Sequence, residues 1–155
     1  MATKTGTGGN PQGVLPAWAS VLAVVAHPDD ESFGLGAVLD AFSRSGTAAV
    51  VLCLTRGEAS TIHGISGDLA SVRAAELQSA AAALGVGKTV LNDHPDGGLG
   101  RVDLTVLTAE IAVAAKSQRA DGLLVFDPSG VTGHPDHVAA SQAAIGAADH
   151  LSLPV

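Results

Sequence analysis

Two short segments concentrate the residues best suited to chemistry: Ala26-His27-Pro28-Asp29-Asp30-Glu31 and Gly133-His134-Pro135-Asp136-His137. Imidazole nitrogen and carboxylate oxygen both ligate divalent cations, and a catalytic zinc takes about three protein ligands while keeping one position open for water. His27 and Asp30 are spaced to converge on one ion across a turn that enters a helix. His134 and His137 repeat that spacing, so either could supply the third ligand. Asp29 lies between two ligands and cannot easily point the same way as Asp30, which suits it to take a proton from water activated by the ion. The histidine that does not ligate could protonate a leaving amine. Asp136 could hold one imidazole in the required tautomer.

A plainer reading exists for each segment alone, since Asp is a good N-cap and Pro suits the first helical turn. His94-Pro95-Asp96 repeats the three residue types without a further ligand nearby and reads as a turn or a pocket wall. Capping does not explain two dense His/Asp clusters, and Glu31 fits the acidic first turn of a helix better than a ligand role.

The elements that must position these side chains follow from the hydrophobic pattern. Val21 to Ala26 is a short apolar run that reads as a buried strand. Leu35, Val38, Leu39 and Phe42 recur at helical spacing, with Gly46 as a stop. Ala48 to Thr55 is a second apolar strand, and Asp68 caps a helix that runs through Leu84 to Gly85. Val90-Leu91 belongs to a third strand, shorter than the second, followed by a turn-rich stretch from Asp93 to Gly100. Asp103 caps a helix with Leu104, Leu107, Ile111 and Ala114 inward. Gly122 to Phe126 is a fourth strand, and after the loop from Asp127 to Gly133 a last helix starts near Asp136. Alternating strands and helices, with strands too apolar to leave one face in water, predict an α/β fold: a parallel sheet with helices on both faces. Both histidine segments would then share the rim at the carboxyl ends of the strands, where such sheets bind ligands.

Composition narrows the class. The 155 residues are 46% hydrophobic and 15% charged, enough for one packed domain, with residues before about Pro16 expected as a flexible tail and the domain as 17–155. A net charge of -7 and the lack of Tyr disfavour nucleic acid as a partner. The one cysteine, Cys53, lies in an apolar run and reads as a core thiol, consistent with a reducing cytoplasm. Neither a signal core nor a membrane-spanning run is visible.

The two histidine segments, in this order, resemble the paired signatures of the LmbE-like (PIG-L) N-acetylglucosaminyl deacetylase family. The resemblance runs from about Val21 to His150 and takes in Arg73-Ala74-Ala75-Glu76, Leu84-Gly85-Val86, Asp96-Gly97 and Asp127-Pro128-Ser129-Gly130. It implies a Rossmann-like fold and a zinc-dependent hydrolase that deacetylates an N-acetylated sugar, with another divalent ion such as Fe2+ as an alternative cofactor. It implies that His27, Asp30 and His137 bind the metal and that Asp29 is the general base. His134 would act as acid or oxyanion stabiliser, oriented by Asp136. Arg73 matches a position that contacts substrate in relatives, its alternative being a surface pair with Glu76. Asp96 is expected at a sugar hydroxyl. Family members usually continue past the last helix, so the sheet and pocket are expected to be incomplete at the C-terminus. A fragment, a naturally short protein, or a homo-oligomer that completes the pocket would each account for this, and an apolar sheet edge favours the last. Competing functions are an amidase acting on a thiol conjugate, a catalytically silent metal-binding subunit, and a nucleotide-binding module. The last is weak, because Gly34-Leu35-Gly36 lacks the third glycine of the dinucleotide fingerprint.

Overall fold

Parallel pairing and period-two alternation divide the apolar residues of each strand between two faces, and that division explains the architecture. The computed structural model describes residues 15–62, 64 and 66–155. The expected tail therefore lies, for residues 1–14, outside the described residues. Strand β1 (Ser20–Val25) leads into a short helix α1 (Asp30–Phe33) and then α2 (Gly36–Arg44). Strand β2 (Ala48–Thr55) is followed by α3 (Leu69–Ala83) and β3 (Lys88–His94). A 3-10 turn at Leu99–Arg101 precedes α4 (Leu104–Gln118) and β4 (Gly122–Leu124). One helical turn, α5 (Gly130–Gly133), then leads to α6 (Pro135–Leu151).

All strand pairs are parallel, in the order β3-β2-β1-β4. Leu22, Val24, Val50, Leu52 and Leu54 face one side and pack with Leu107 and Ile111 of α4 and the alanines of α6. Val21, Ala23, Val25, Val51 and Cys53 face the other, against Leu39 and Phe42 of α2 and Leu77 and Ala81 of α3. The sheet is thus covered on both faces, as the pattern predicts. Cys53 is buried, and burial pushes its thiol well above the ordinary range, as expected of a core residue.

Three local expectations need correction. The helical pattern after β1 is two helices, interrupted at Gly34-Leu35. The third strand is longer than Val90-Leu91 suggested, because β3 follows β2 past an irregularity as far as the Thr55–His94 pair. The fourth is shorter, since Val125 and Phe126 leave the sheet after Leu124. Phe126 instead sets its ring 5.2 Å from that of His137. Helices α3 and α4 begin where expected, with Asp68 accepting from Ser71 N–H and Asp103 from Thr105 N–H.

The topology fixes where ligands collect. The chain runs from β1 outward to β2 and β3, then returns to place β4 on the other side of β1. The crevice at such a reversal, beyond the carboxyl ends of β1 and β4, is the general ligand site of open parallel sheets. His27 follows β1, and the segment bearing His134 and His137 follows β4. On the outer side of β4, Leu123 N–H donates to Pro154 C=O, so the last residues of the chain lie along that edge. No described helix is long and apolar enough to cross a membrane.

Candidate metal and catalytic site

Residues separated by more than a hundred positions meet at this crevice. His27 Nδ1 lies 3.2 Å from His137 Nε2, His137 Nε2 lies 3.1 Å from Asp30 Oδ1, and His27 Nδ1 lies 3.5 Å from Asp30 Oδ2. Bonds of about 2.0 Å in a tetrahedron put neighbouring ligands roughly 3.3 Å apart, so these separations match the edges of a zinc coordination shell.

The outer nitrogen of each ring explains why the inner ones can ligate. His137 Nδ1 faces Gly130 C=O at 3.1 Å and donates to it, which leaves Nε2 bare. His27 Nε2 faces Asp136 Oδ2 at 3.1 Å and Asp96 Oδ1 at 3.1 Å, which leaves Nδ1 bare. Two lone pairs at this separation repel unless a positive charge lies between them. A cation satisfies the geometry; a proton does so in its place. Burial opposes charging His27, but the hydrogen bond and charge of Asp30, with Asp136 and Asp96, outweigh it and raise its pKa. For Asp30, burial pushes upward, yet hydrogen bonds from the His27 side chain and backbone and the charges of both histidines bring its pKa below the ordinary value.

Local backbone geometry separates the two adjacent aspartates. Asp29 has φ 111°, a conformation rare outside glycine, and its side chain makes no cap bond to α1. The helix-cap reading of this turn therefore does not apply to Asp29. Glu31, fully buried, turns back to accept Asp29 N–H at 2.9 Å and supports the helix start. Asp30 turns inward and accepts His27 N–H at 2.9 Å, while the Asp29 side chain remains 47% exposed beside the candidate ligands.

Arg73 is not the surface residue of a simple helix pair. Its guanidinium is buried, donates to Asp29 Oδ2 at 2.8 Å and to Gly57 C=O at 2.9 Å, and also bonds Pro28 C=O. Gly57 has φ +65°, and a Cβ there would fall 2.1 Å from Arg73 Nη1, so the loop admits no side chain against the guanidinium. Arg73, expected at the substrate, braces the turn that carries Asp29.

Asp96 and Asp136 make contacts that spacing alone did not show. Asp96 Oδ1 lies 3.1 Å from His27 Nε2 and its Oδ2 accepts Ala59 N–H at 2.9 Å, so its carboxylate reaches a candidate ligand. The third His-Pro-Asp segment is thus part of the site through Asp96. His94 turns away and pairs with Glu110 at 2.7 Å. Asp136 is fully buried and accepts Gly97 N–H at 2.7 Å and Leu99 N–H at 3.0 Å. Its carboxylate orients His27, whereas its contact with His134 is made by the backbone: Asp136 N–H donates to His134 Nδ1 at 3.1 Å. That bond makes His134 the N-cap of α6. A backbone N–H can only donate, so Nδ1 is bare and the proton of the neutral ring sits on Nε2. The His134 ring is exposed and stands edge-on to His27, centroids 4.9 Å apart.

A Rossmann-like sheet with a two-histidine, one-carboxylate cradle at its switch point, flanked by an exposed carboxylate, has the layout of a metal-dependent hydrolase centre. Comparison with known proteins supplies the family. Residues 22–148 match the PIG-L model, described as GlcNAc-PI de-N-acetylase, and the chain belongs to this family. A deacetylase of Kineococcus radiotolerans acting on 1D-myo-inositol 2-acetamido-2-deoxy-alpha-D-glucopyranoside is 31% identical over 82% of this chain and 44% of its own length. A probable N-acetylglucosaminyl-phosphatidylinositol de-N-acetylase of Schizosaccharomyces pombe is 35% identical over 81% of this chain and 50% of its own length. The solved N,N'-diacetylchitobiose deacetylase of Pyrococcus horikoshii superposes with a TM-score of 0.77 at 27% identity, over 90% of this chain and 53% of that one. The chain spans about half the length of the curated relatives it matches.

Proposed function

We propose that this chain carries the catalytic centre of a metal-dependent N-deacetylase acting on an N-acetylglucosaminyl-type small molecule. The convergence of His27 Nδ1, Asp30 and His137 Nε2 within 4.8 Å of one another carries the proposal. Zinc suits the ligand set and separations best; Fe2+ tolerates the same donors. When bound, the ion polarises the amide carbonyl and makes water more acidic.

The chain's own groups do the rest. Asp29 takes a proton from the attacking water, its carboxylate aimed by Arg73 and by the turn at Pro28. His134, whose Nδ1 accepts Asp136 N–H and whose proton therefore sits on Nε2, donates a hydrogen bond to the oxyanion that develops on the carbonyl oxygen. Of the two roles considered for it, oxyanion stabiliser fits this tautomer. Protonating Nδ1 would set it against Asp136 N–H and break the cap of α6. Asp29 then returns its proton to the leaving nitrogen, releasing acetate and the amine. Gly97 and Leu99 N–H hold Asp136, and Asp136 with Asp96 holds His27. We further place the substrate among small N-acetylated sugars.

The test is acetate release from N-acetylglucosaminyl compounds by protein of measured metal content. Asp29→Asn is expected to lower kcat by roughly two to four orders of magnitude, the usual contribution of a general base, with metal stoichiometry unchanged. Full activity in Asp29→Asn would remove the base from the mechanism. Hydrolysis of a thiol-conjugate amide with sugar amides untouched would move the substrate class.

A further inference from the structure

Asp29 also lines a cleft of about 630 Å³ that none of the three cation ligands touches. Its apolar walls are Pro28, Phe33, Ile62, Leu77 and Ala80. Phe33 is 90% exposed and Ile62 91%, more than any other large hydrophobic side chain among the described residues. Both sit on the segments that hold the base. Phe33 ends α1, the helix that starts beside Asp29. Ile62 lies in the loop whose Gly57 carbonyl receives Arg73, the residue that braces Asp29. Two large apolar side chains left in water at the rim of one cleft, directly beside a reacting carboxylate, have the character of a binding lip.

We infer that this cleft is a subsite for an apolar portion of the substrate, so that the preferred amide carries an aliphatic or aromatic group in addition to its sugar. The inference rests on the deacetylase reading. Such a group could belong to the acyl chain or to the aglycone, and product ligands distinguish the two without needing turnover. Binding of hexyl against methyl glucosaminide reads the aglycone; binding of hexanoate against acetate reads the acyl side. In one of these pairs the hexyl member should bind about tenfold tighter or more, as expected for burying several methylenes. Phe33→Ser and Ile62→Ser, both surface changes, should bring that advantage to within about twofold, and Phe33→Leu should keep most of it. Acetate release from methyl N-acetylglucosaminide should be unchanged in all three. Equal binding within both pairs overturns the subsite, as does an advantage that survives both serine variants. Serine variants that alter only the sedimentation of the protein would also overturn it, by showing that a second copy covers the lip. Absence of acetate release from every substrate would defeat the hydrolase reading and leave these binding comparisons readable.

Discussion

Between His27 Nδ1 and His137 Nε2 a positive charge is needed, and in the metal-free protein a proton meets that need. The consequence is a pH dependence whose sign can be worked out. His27 has its pKa raised by folding, so its contribution to stability is complete below the unfolded value near 6.5 and is lost as pH rises through the raised value. Asp30 has its pKa lowered, so its contribution is complete above the unfolded value near 3.8 and is lost as pH falls through the lowered one. Together they stabilise the metal-free chain most between about pH 4 and 6.5. The urea midpoint of metal-free protein, compared with Asp30→Asn, should therefore show a difference that shrinks above that window. A difference that grows with rising pH would contradict the pairing. At this scale the candidate ligands were legible in the sequence, because two turns carried His and Asp at matching spacing. The third ligand was open between His134 and His137 on spacing alone. The tasks of Arg73, Asp96 and Asp136 were not legible. Each depends on contacts with a loop distant in sequence, such as Arg73 with Pro28 and Asp96 with His27.

Among the elements, the short turn between β4 and α6 positions the third proposed ligand. Gly130 has φ +72°, and its carbonyl accepts from His137 Nδ1. A Cβ at Gly130 would lie 2.8 Å from His137 Cβ and 2.8 Å from Val138 N, so an added side chain pushes the ligand itself. Val131 next to it has φ 61°, a strained conformation for a β-branched residue. Gly130→Ala should destabilise the fold by about 1–3 kcal/mol, from the backbone strain. It should also weaken metal binding by roughly 10- to 100-fold, the usual effect of losing a group that orients a ligand. Thermal unfolding and metal titration check the two effects separately, and unchanged metal affinity would show that this turn does not set His137. Helix α6 can carry its N-terminal histidines to the rim because Ala140, Ala143, Ala144, Ala147 and Ala148 are buried and let it sit close to the sheet and α4. Apolar runs and caps made the strands and long helices readable. Where an edge strand ends, or a helix breaks after one turn, depends on tertiary partners: β2 for β3, and the His137 ring for Phe126.

For the molecule as a whole, the sheet order puts chemistry from both ends of the chain into one crevice. Strand β1 delivers the first turn, β4 the second, and the loop after β3 brings Asp96 and the amides of Gly97 and Leu99 across to them. A cation held there would join segments more than a hundred residues apart, so metal binding and folding are coupled. The general layout follows from alternation of strand and helix, which is why the rim location was legible in the sequence. The most direct measurement is calorimetric titration of zinc into metal-free intact protein, repeated in two buffers of different ionisation enthalpy. One ion per chain should bind with net proton release at pH below the raised pKa of His27, because the ion displaces the proton that His27 holds there. His137→Ala should weaken binding by roughly 100-fold or more, as expected when one of about three protein ligands is removed. Binding of equal strength in wild type and His137→Ala, or binding that releases no protons, would contradict a shared cation between these two turns.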